Sequence, residues 1–272
     1  MHYFIFARKD SYITENSPSH IILNADSTTK NYGHDEILEL RKEFVDSYST
    51  TSYNTSRMLI QFDYSTLSSS IVNGDITNPK YYLKLYEVEG QSELDREYSL
   101  SSFPLSQSWE EGVGKHFDNP KTKRGVTWED YNSGSAWSLV ANTNADSGSR
   151  TTGGGVWITG SGYEASQSFE SVSPDVEMNV TDIVNKHLGG SNKINNNGFI
   201  IKFNNSTEGD ASLHNFKFFS RHTHTIYAPH LEVRWDDSSF SAGSLSSLDM
   251  SGELKNHIFI KGLQQTYRES EK

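Results

Sequence analysis

Cysteine is absent from the 272 residues, so neither a disulfide framework nor a thiolate metal site is available to this chain. Basic residues are outnumbered. There are 24 Lys and Arg against 35 Asp and Glu, and the formal net charge of -11 has the wrong sign for gripping a nucleic-acid backbone. No apolar run approaches the ~20 residues that a membrane-spanning helix needs. Residues 1–7 show no basic leader, no long apolar stretch and no small-residue cleavage site, so the expectation is a chain without a signal peptide, used without export. On that expectation, sequons such as Asn54-Thr55-Ser56 and Asn179-Val180-Thr181 carry no sugar. Internal repeats of about 20–50 residues are missing, which argues against a propeller or solenoid.

Catalytic signatures are missing too. There is no Gly-x-Ser-x-Gly elbow, no His-Glu-x-x-His and no phosphate-binding Gly-x-x-x-x-Gly-Lys. Gly153-Gly154-Gly155 has no lysine and helix after it, and reads as loop. Glu110-Glu111 is an acidic pair, but neighbours on a strand point to opposite faces, a poor start for two converging carboxylates. An enzyme is not expected.

What is present points to β-structure. The apolar fraction is low at 34% while aromatics reach 12%, a mixture that suits thin, aromatic-rich cores between polar loops. Met58, Ile60 and Phe62 alternate with polar or opposite-facing neighbours, as do Tyr81, Leu83 and Leu85. Such period-two runs predict strands with one face on a core and the other in water. The polar stretch 64–80 between them closes on Asn78-Pro79 and reads as turn or extended chain. Further strands are expected at 2–8, with Tyr3, Ile5 and Ala7 inward, at 37–44, and at Val176, Met178 and Val180. Three more are expected through Phe199, Ile201 and Phe203, through Phe216 and Phe218, and through Leu231, Val233 and Trp235.

For 37–44 a helix competes, since Glu, Leu, Arg and Lys favour helices; the flanking strands favour strand. Residues 10–31 are polar apart from Ile21-Ile22-Leu23. Residues 99–175 read as a long run of turns holding Trp109, Trp128, Trp137 and Trp157, with 133–135 and 147–155 as mobile surface loop. One short helix is expected from an N-cap at Thr181, burying Ile183, Val184, His187 and Leu188 and ending at Gly189-Gly190. Strands, one helix and more strands predict an all-β antiparallel jelly-roll or β-sandwich over 1–236. Residues 237–272 read as a linker and extension that contacts a partner or starts a further domain.

Two groups of residues have metal-binding chemistry. His222-x-His224 on one strand face would be half a metal site, with Asp210, His214 and His230 nearby in sequence; a plain polar loop is the competing reading. Asp10, Asn31, Asp35 and Glu36 offer oxygens that suit calcium, and ordinary turn chemistry explains them equally. Trp137 and Trp157, lying in polar text, are the candidates for exposed contacts to a ligand such as a sugar ring.

Several motifs in order resemble a known family. Arg57-Met58-Leu59-Ile60-Gln61-Phe62-Asp63, Tyr82-Leu83-Lys84-Leu85-Tyr86, Ser108-Trp109-Glu110-Glu111-Gly112 with Val126-Thr127-Trp128, and Val180-Thr181-Asp182-Ile183-Val184 form the first part. Asn197-Gly198-Phe199-Ile200-Ile201, Phe219-Ser220-Arg221 and Pro229-His230-Leu231-Glu232-Val233 complete it. Together they resemble DNRLRE-type domains, jelly-rolls similar to carbohydrate-binding modules. The chain departs from that pattern in the long spacers 113–124 and 129–174 and in starting directly with a strand. Similar text occurs in virion structural proteins of tailed, marine cyanophage-like phages. The resemblance implies a non-enzymatic virion protein of the tail, neck or fibre, assembled in the host cytoplasm as a homo-oligomer beside other virion proteins. It implies no cofactor beyond a possible calcium of the kind such modules carry. The alternative it implies is a module that recognises a surface polysaccharide; Trp109 and Trp128 then match core positions.

Overall fold

Alternating apolar residues pair into antiparallel ladders throughout. The computed structural model describes residues 1–15, 28–44, 53–72, 76–88, 98–138, 143–145, 153–169, 175–189, 193–209 and 212–236. The strands are β1 (His2–Thr14), β2 (Ile37–Phe44), β3 (Tyr53–Phe62), β4 (Lys80–Leu85), β5 (Tyr98–Pro104), β6 (Asp130–Asn132) and β7 (Ser135–Ala136). They continue as β8 (Thr143–Ala145), β9 (Val156–Ile158), β10 (Ala165–Phe169), β11 (Val176–Asn179), β12 (Phe199–Phe203), β13 (His214–Phe219) and β14 (His230–Arg234). Among the described residues three short helices interrupt them: α1 (Ser65–Val72), α2 (Thr181–Leu188) and α3 (Asn205–Gly209).

The main sheet runs β10-β5-β12-β3-β1-β14-β4-β11, and β2 pairs with both β3 and β13. The sheet is nearly barrel-shaped. Its two ends meet through Gln167 of β10, whose Oε1 accepts the Glu177 N–H of β11 at 2.8 Å and whose Nε2 donates to the Asp175 carbonyl at 3.3 Å. β1 joins the two halves. Residues 2–6 pair with β14, the register shifts between Ala7 and Lys9, and the remainder pairs with β3. Such a bulge bends a strand and re-aims the side chains after it.

The main core lies inside this curve. Ile5, Tyr12, Leu38, Leu40, Met58, Ile60, Phe62, Tyr81, Leu83, Phe199, Ile201, Phe216, Phe218, Leu231 and Val233 are among its buried members. A second, tryptophan-rich core covers the opposite face, with Ile13, Leu59, Phe103, Trp109, Trp128, Trp157 and Ile200. β3 and β12 are therefore buried on both faces, and the expectation of a watery face for the Met58–Phe62 run is corrected. The polar-looking connection supplies the cover, so each buried aliphatic there contributes about 1.5–3 kcal/mol.

Buried charge accompanies the second core. Arg57, fully buried, lies 4.9 Å from the Trp128 ring and 5.2 Å from that of Trp157. It donates to Glu208 Oε1 and Oε2 at 3.1 and 3.0 Å and to the Gly154 carbonyl at 2.7 Å. Lys202, also fully buried, pairs with the same Glu208 at 2.9 Å. Gly154 has φ +82°, and a Cβ there would stand 2.4 Å from Arg57 Nη1. Only glycine lets the backbone come this close.

Several expectations need correction. Residues 64–80 contain α1, because Asp63 Oδ1 accepts the Ser65 N–H at 2.9 Å and Leu67 and Ile71 pack on the core. Residues 99–175 contain β5 and β10, paired over five positions. Gly154 and Gly155 are buried against Trp128 and Ile200, so this part of 147–155 is packed structure. β1 runs on through Asp10 to Thr14. Thr181 does not cap α2: the N-cap is Val180, while Thr181 Oγ1 accepts the Tyr81 N–H at 3.0 Å and donates to Asn179 Oδ1 at 2.6 Å. Among the described residues there are three helices rather than one. The strand reading of 37–44 holds, since that segment is β2. Ile21-Ile22-Leu23, Asp210 and the extension 237–272 lie outside the described residues.

Glu208→Gln is expected to cost about 3–5 kcal/mol in denaturant unfolding, because two cations would remain buried without their carboxylate. A loss under about 1 kcal/mol would mean that water reaches the pair. His187 supplies a second test. Its ring stacks with Tyr64 and meets Phe199 edge-on, neither nitrogen has a hydrogen-bond partner, and burial pushes the imidazole down to about 4. A depressed base stabilises the fold above its unfolded value of 6.5, and that contribution is lost as pH falls towards 4. Relative to His187→Phe, the native chain should therefore lose up to about 3 kcal/mol between neutral pH and pH 4. Parallel melting-point curves for the two proteins would count against this.

Candidate functional site

Asp10 follows the β1 bulge directly, is 1% exposed, and meets two connections that are distant in sequence. Its Oδ2 accepts the Arg221 backbone N–H at 2.6 Å, and its own N–H donates to Glu111 Oε1 at 2.9 Å. Arg221 Nη1 donates to both Glu111 oxygens, at 3.0 and 2.9 Å. His222 Nε2 stands 3.4 Å from Glu111 Oε1, is sealed from solvent and has no hydrogen-bond partner. The exposed His34 ring lies against His222 with centroids 4.1 Å apart. Donor atoms of Asp10, Glu111 and His222 all lie within 4.8 Å of one another.

Burial dominates the electrostatics here. It pushes the Asp10 carboxyl up to about 8, against the pull of the Arg221 N–H and with a further push from Glu111. It holds the His222 imidazole below its ordinary value, opposed by Glu111 and assisted by His34 and Arg221. Lys9, the residue before Asp10, lies 4.2 Å from the Trp109 ring and donates to the Trp109 carbonyl; burial lowers its ammonium to about 8.

Asn31 organises the same corner. Its Oδ1 accepts the N–H groups of Gly33 and Gly114 at 3.1 and 2.8 Å, and its Nδ2 donates to the carbonyls of Glu111 and Val126, each at 2.7 Å. Four hydrogen bonds use the whole amide. They shape the loop that presents Glu111. Gly33 lets the loop close: a Cβ there would fall 1.8 Å from the Glu111 carbonyl oxygen. Asp35 Oδ2 accepts the His116 N–H at 2.9 Å and the Tyr12 hydroxyl at 3.4 Å, and burial raises its carboxyl to about 6.

The two sequence-derived metal groups are therefore rearranged. Asn31 Oδ1 is taken by loop N–H groups, Asp35 Oδ2 by the His116 N–H and the Tyr12 hydroxyl, Glu36 is exposed, and Asp10 joins His222 instead. His222 and His224 do not share a strand face, because β13 ends at Phe219; they lie in turns, with His224 exposed. His214 packs among Tyr98, Phe203 and Phe216, and His230 among Phe4, Phe6 and Tyr86. Glu111 and Arg221 were not singled out as site residues. Nothing in their spacing links them, since they lie 110 positions apart. Trp157, expected to be exposed, is 4% exposed in the second core, where it also covers Arg57 and Lys202. Trp137 is half-buried, with its indole N–H donating to the Thr127 carbonyl at 3.1 Å.

A different surface carries bare rings. On the outer side of β1, Phe4 and Phe6 are 50% and 58% exposed and lean on His230. The strip continues through Tyr86, Tyr227 and Phe219, with Ile226 83% exposed beside it. Along one flank runs a charged lattice in which Glu232 meets His2, Arg234 and Lys84, and Glu177 meets Lys84 and Arg234. The Arg234 contact, first among these, holds the Glu232 carboxyl down at about 2. Among the described residues no helix is long and apolar enough to cross a membrane. No family model and no curated protein matches the chain.

Asn31→Asp replaces two donors with a carboxylate oxygen of equal size facing two carbonyls. Each buried carbonyl left without a donor costs ~1–3 kcal/mol, so a loss of about 2–6 kcal/mol in urea unfolding is expected. An unchanged midpoint would show that the amide does not hold the loop.

Proposed function

We propose that the chain is a non-enzymatic structural subunit that associates with further copies of itself through the aromatic strip on the outer side of β1 and β14. The observation that carries this reading is the exposure of Phe4, Phe6, Tyr227 and Ile226 on one contiguous face. Single exposed apolar residues are ordinary, whereas a clustered patch rimmed by charges has the anatomy of an interface. The chemistry favours a protein over a sugar. Phe4, Phe6 and Ile226 have no polar group to offer a hydroxyl, and the neighbouring Glu232, Lys84, Glu177 and Arg234 are already paired with one another. Trp157, the ring first considered for a sugar contact, is buried.

The resemblance of the motifs to DNRLRE-type jelly-rolls of tailed phages supplies the setting. On that reading the fold is a jelly-roll and the assembly is a virion tail, neck or fibre, formed in the host cytoplasm beside other virion proteins. No nucleic acid or membrane is involved.

Light scattering on the purified chain over a micromolar range should show a closed oligomer. Phe6→Asp, at an exposed position that leaves the fold intact, should weaken association about 30-fold or more, the effect of losing a hot-spot residue worth ~2 kcal/mol. A native chain that remains monomeric throughout would overturn the proposal. So would a shift of the Phe6→Asp midpoint with no shift in association.

A further inference from the structure

We propose that Asp10, Glu111 and His222 bind one divalent transition-metal ion, with zinc as the ion their donors suit. The inference is independent of the association face, which lies on other residues. Two carboxylates and an imidazole form a mixed oxygen and nitrogen set, matched to zinc and its neighbours; calcium and magnesium prefer oxygen alone.

The separation of His222 Nε2 from Glu111 Oε1 is informative. At 3.4 Å the two atoms form an ion pair when the imidazole is protonated, whereas the nitrogen of the neutral ring is sealed from solvent without a hydrogen-bond partner. Two ligands each bound at about 2.0–2.2 Å to one tetrahedral ion stand about 3.4 Å apart. The pair is thus spaced as ligands of a common ion, and a metal would satisfy a nitrogen that the neutral imidazole leaves without a hydrogen bond. All three donor atoms lie within 4.8 Å of one another.

Outer partners are also in place. Glu111 receives the Asp10 N–H and the Arg221 guanidinium, and Asp10 receives the Arg221 N–H. Metal-binding carboxylates are commonly oriented by such donors. Arg221 also balances part of the negative charge, so the rival reading is a clamp of Arg221 and Glu111 that needs no ion. That reading accounts for the carboxylates, but it pairs His222 with Glu111 only as an imidazolium and leaves the neutral ring's nitrogen without a hydrogen bond. Bound zinc would tie β1, the Trp109–Trp128 connection and the turn after β13 together at one point, a structural role.

The test uses the untagged full chain, stripped with chelator and titrated calorimetrically with zinc chloride. Cobalt(II) serves as a visible-absorption probe of coordination. One ion per chain is expected. His222→Ala and Asp10→Asn should each weaken binding by about 100-fold or more, beyond the 10–100-fold that outer partners carry. His224→Ala should bind like the native chain. If Asp10→Asn does not fold, His222→Ala with an unchanged circular dichroism spectrum decides alone. Absence of saturable binding, calcium chloride binding in preference to zinc, or equal binding by His222→Ala would each overturn the proposal.

Discussion

The buried contact between Arg57 and Glu208 governs the layering of this protein. A guanidinium with no exposure must be paired, hydrogen-bonded and covered, or it will not stay inside. Glu208 pairs it, the Gly154 carbonyl takes a further N–H, and Trp128 and Trp157 cover it. Each requirement recruits a different part of the chain: α3 for the carboxylate, the glycine run for the carbonyl, and the long polar connection for the indoles. Lys202 shares the carboxylate and so couples β12 to the same point. The sheet thereby acquires a second hydrophobic layer on a face that strand patterning alone assigns to solvent.

β1 performs the corresponding task along the sheet. It leaves β14 and joins β3 at the bulge between Ala7 and Lys9, so one strand serves both halves of the curved sheet. The change in direction has a chemical consequence. It turns Asp10 into a buried corner where Glu111 and the turn after β13 arrive, instead of leaving it on an outer face with Phe4 and Phe6. The bare rings and the buried acid are thus two outcomes of one irregularity in one strand.

The two surfaces differ in how their charges are used. Beside Phe4 and Phe6 the acids and bases form an extended, mutually paired lattice, and Glu232 remains ionised across ordinary pH. Around Asp10 the same residue types are crowded and desolvated, with one histidine nitrogen left bare. A lattice of paired charges suits the rim of a permanent contact, whereas buried, converging donors suit a small cation.

Local patterning determined a great deal by itself. Period-two alternation located β2, β3, β4, β11, β12, β13 and β14, because successive side chains of a strand point to opposite faces. The alternation of Glu39 and Arg41 with Leu38 and Leu40 outweighed their helix propensity, and β2 is the result. Lack of cysteine excluded thiolate chemistry at once. Tertiary structure alone decided what covers the outer face of β3, because Trp128 and Trp157 lie far from Arg57 in sequence and their cover depends on loop closure by Gly154. It alone decided that Asn31 is a loop organiser rather than a ligand, and that Asp10 meets Glu111 and His222. Contacts between residues 100 or more apart leave no period in the text. They arise from register, a bulge and loop path, and those are properties of the folded chain.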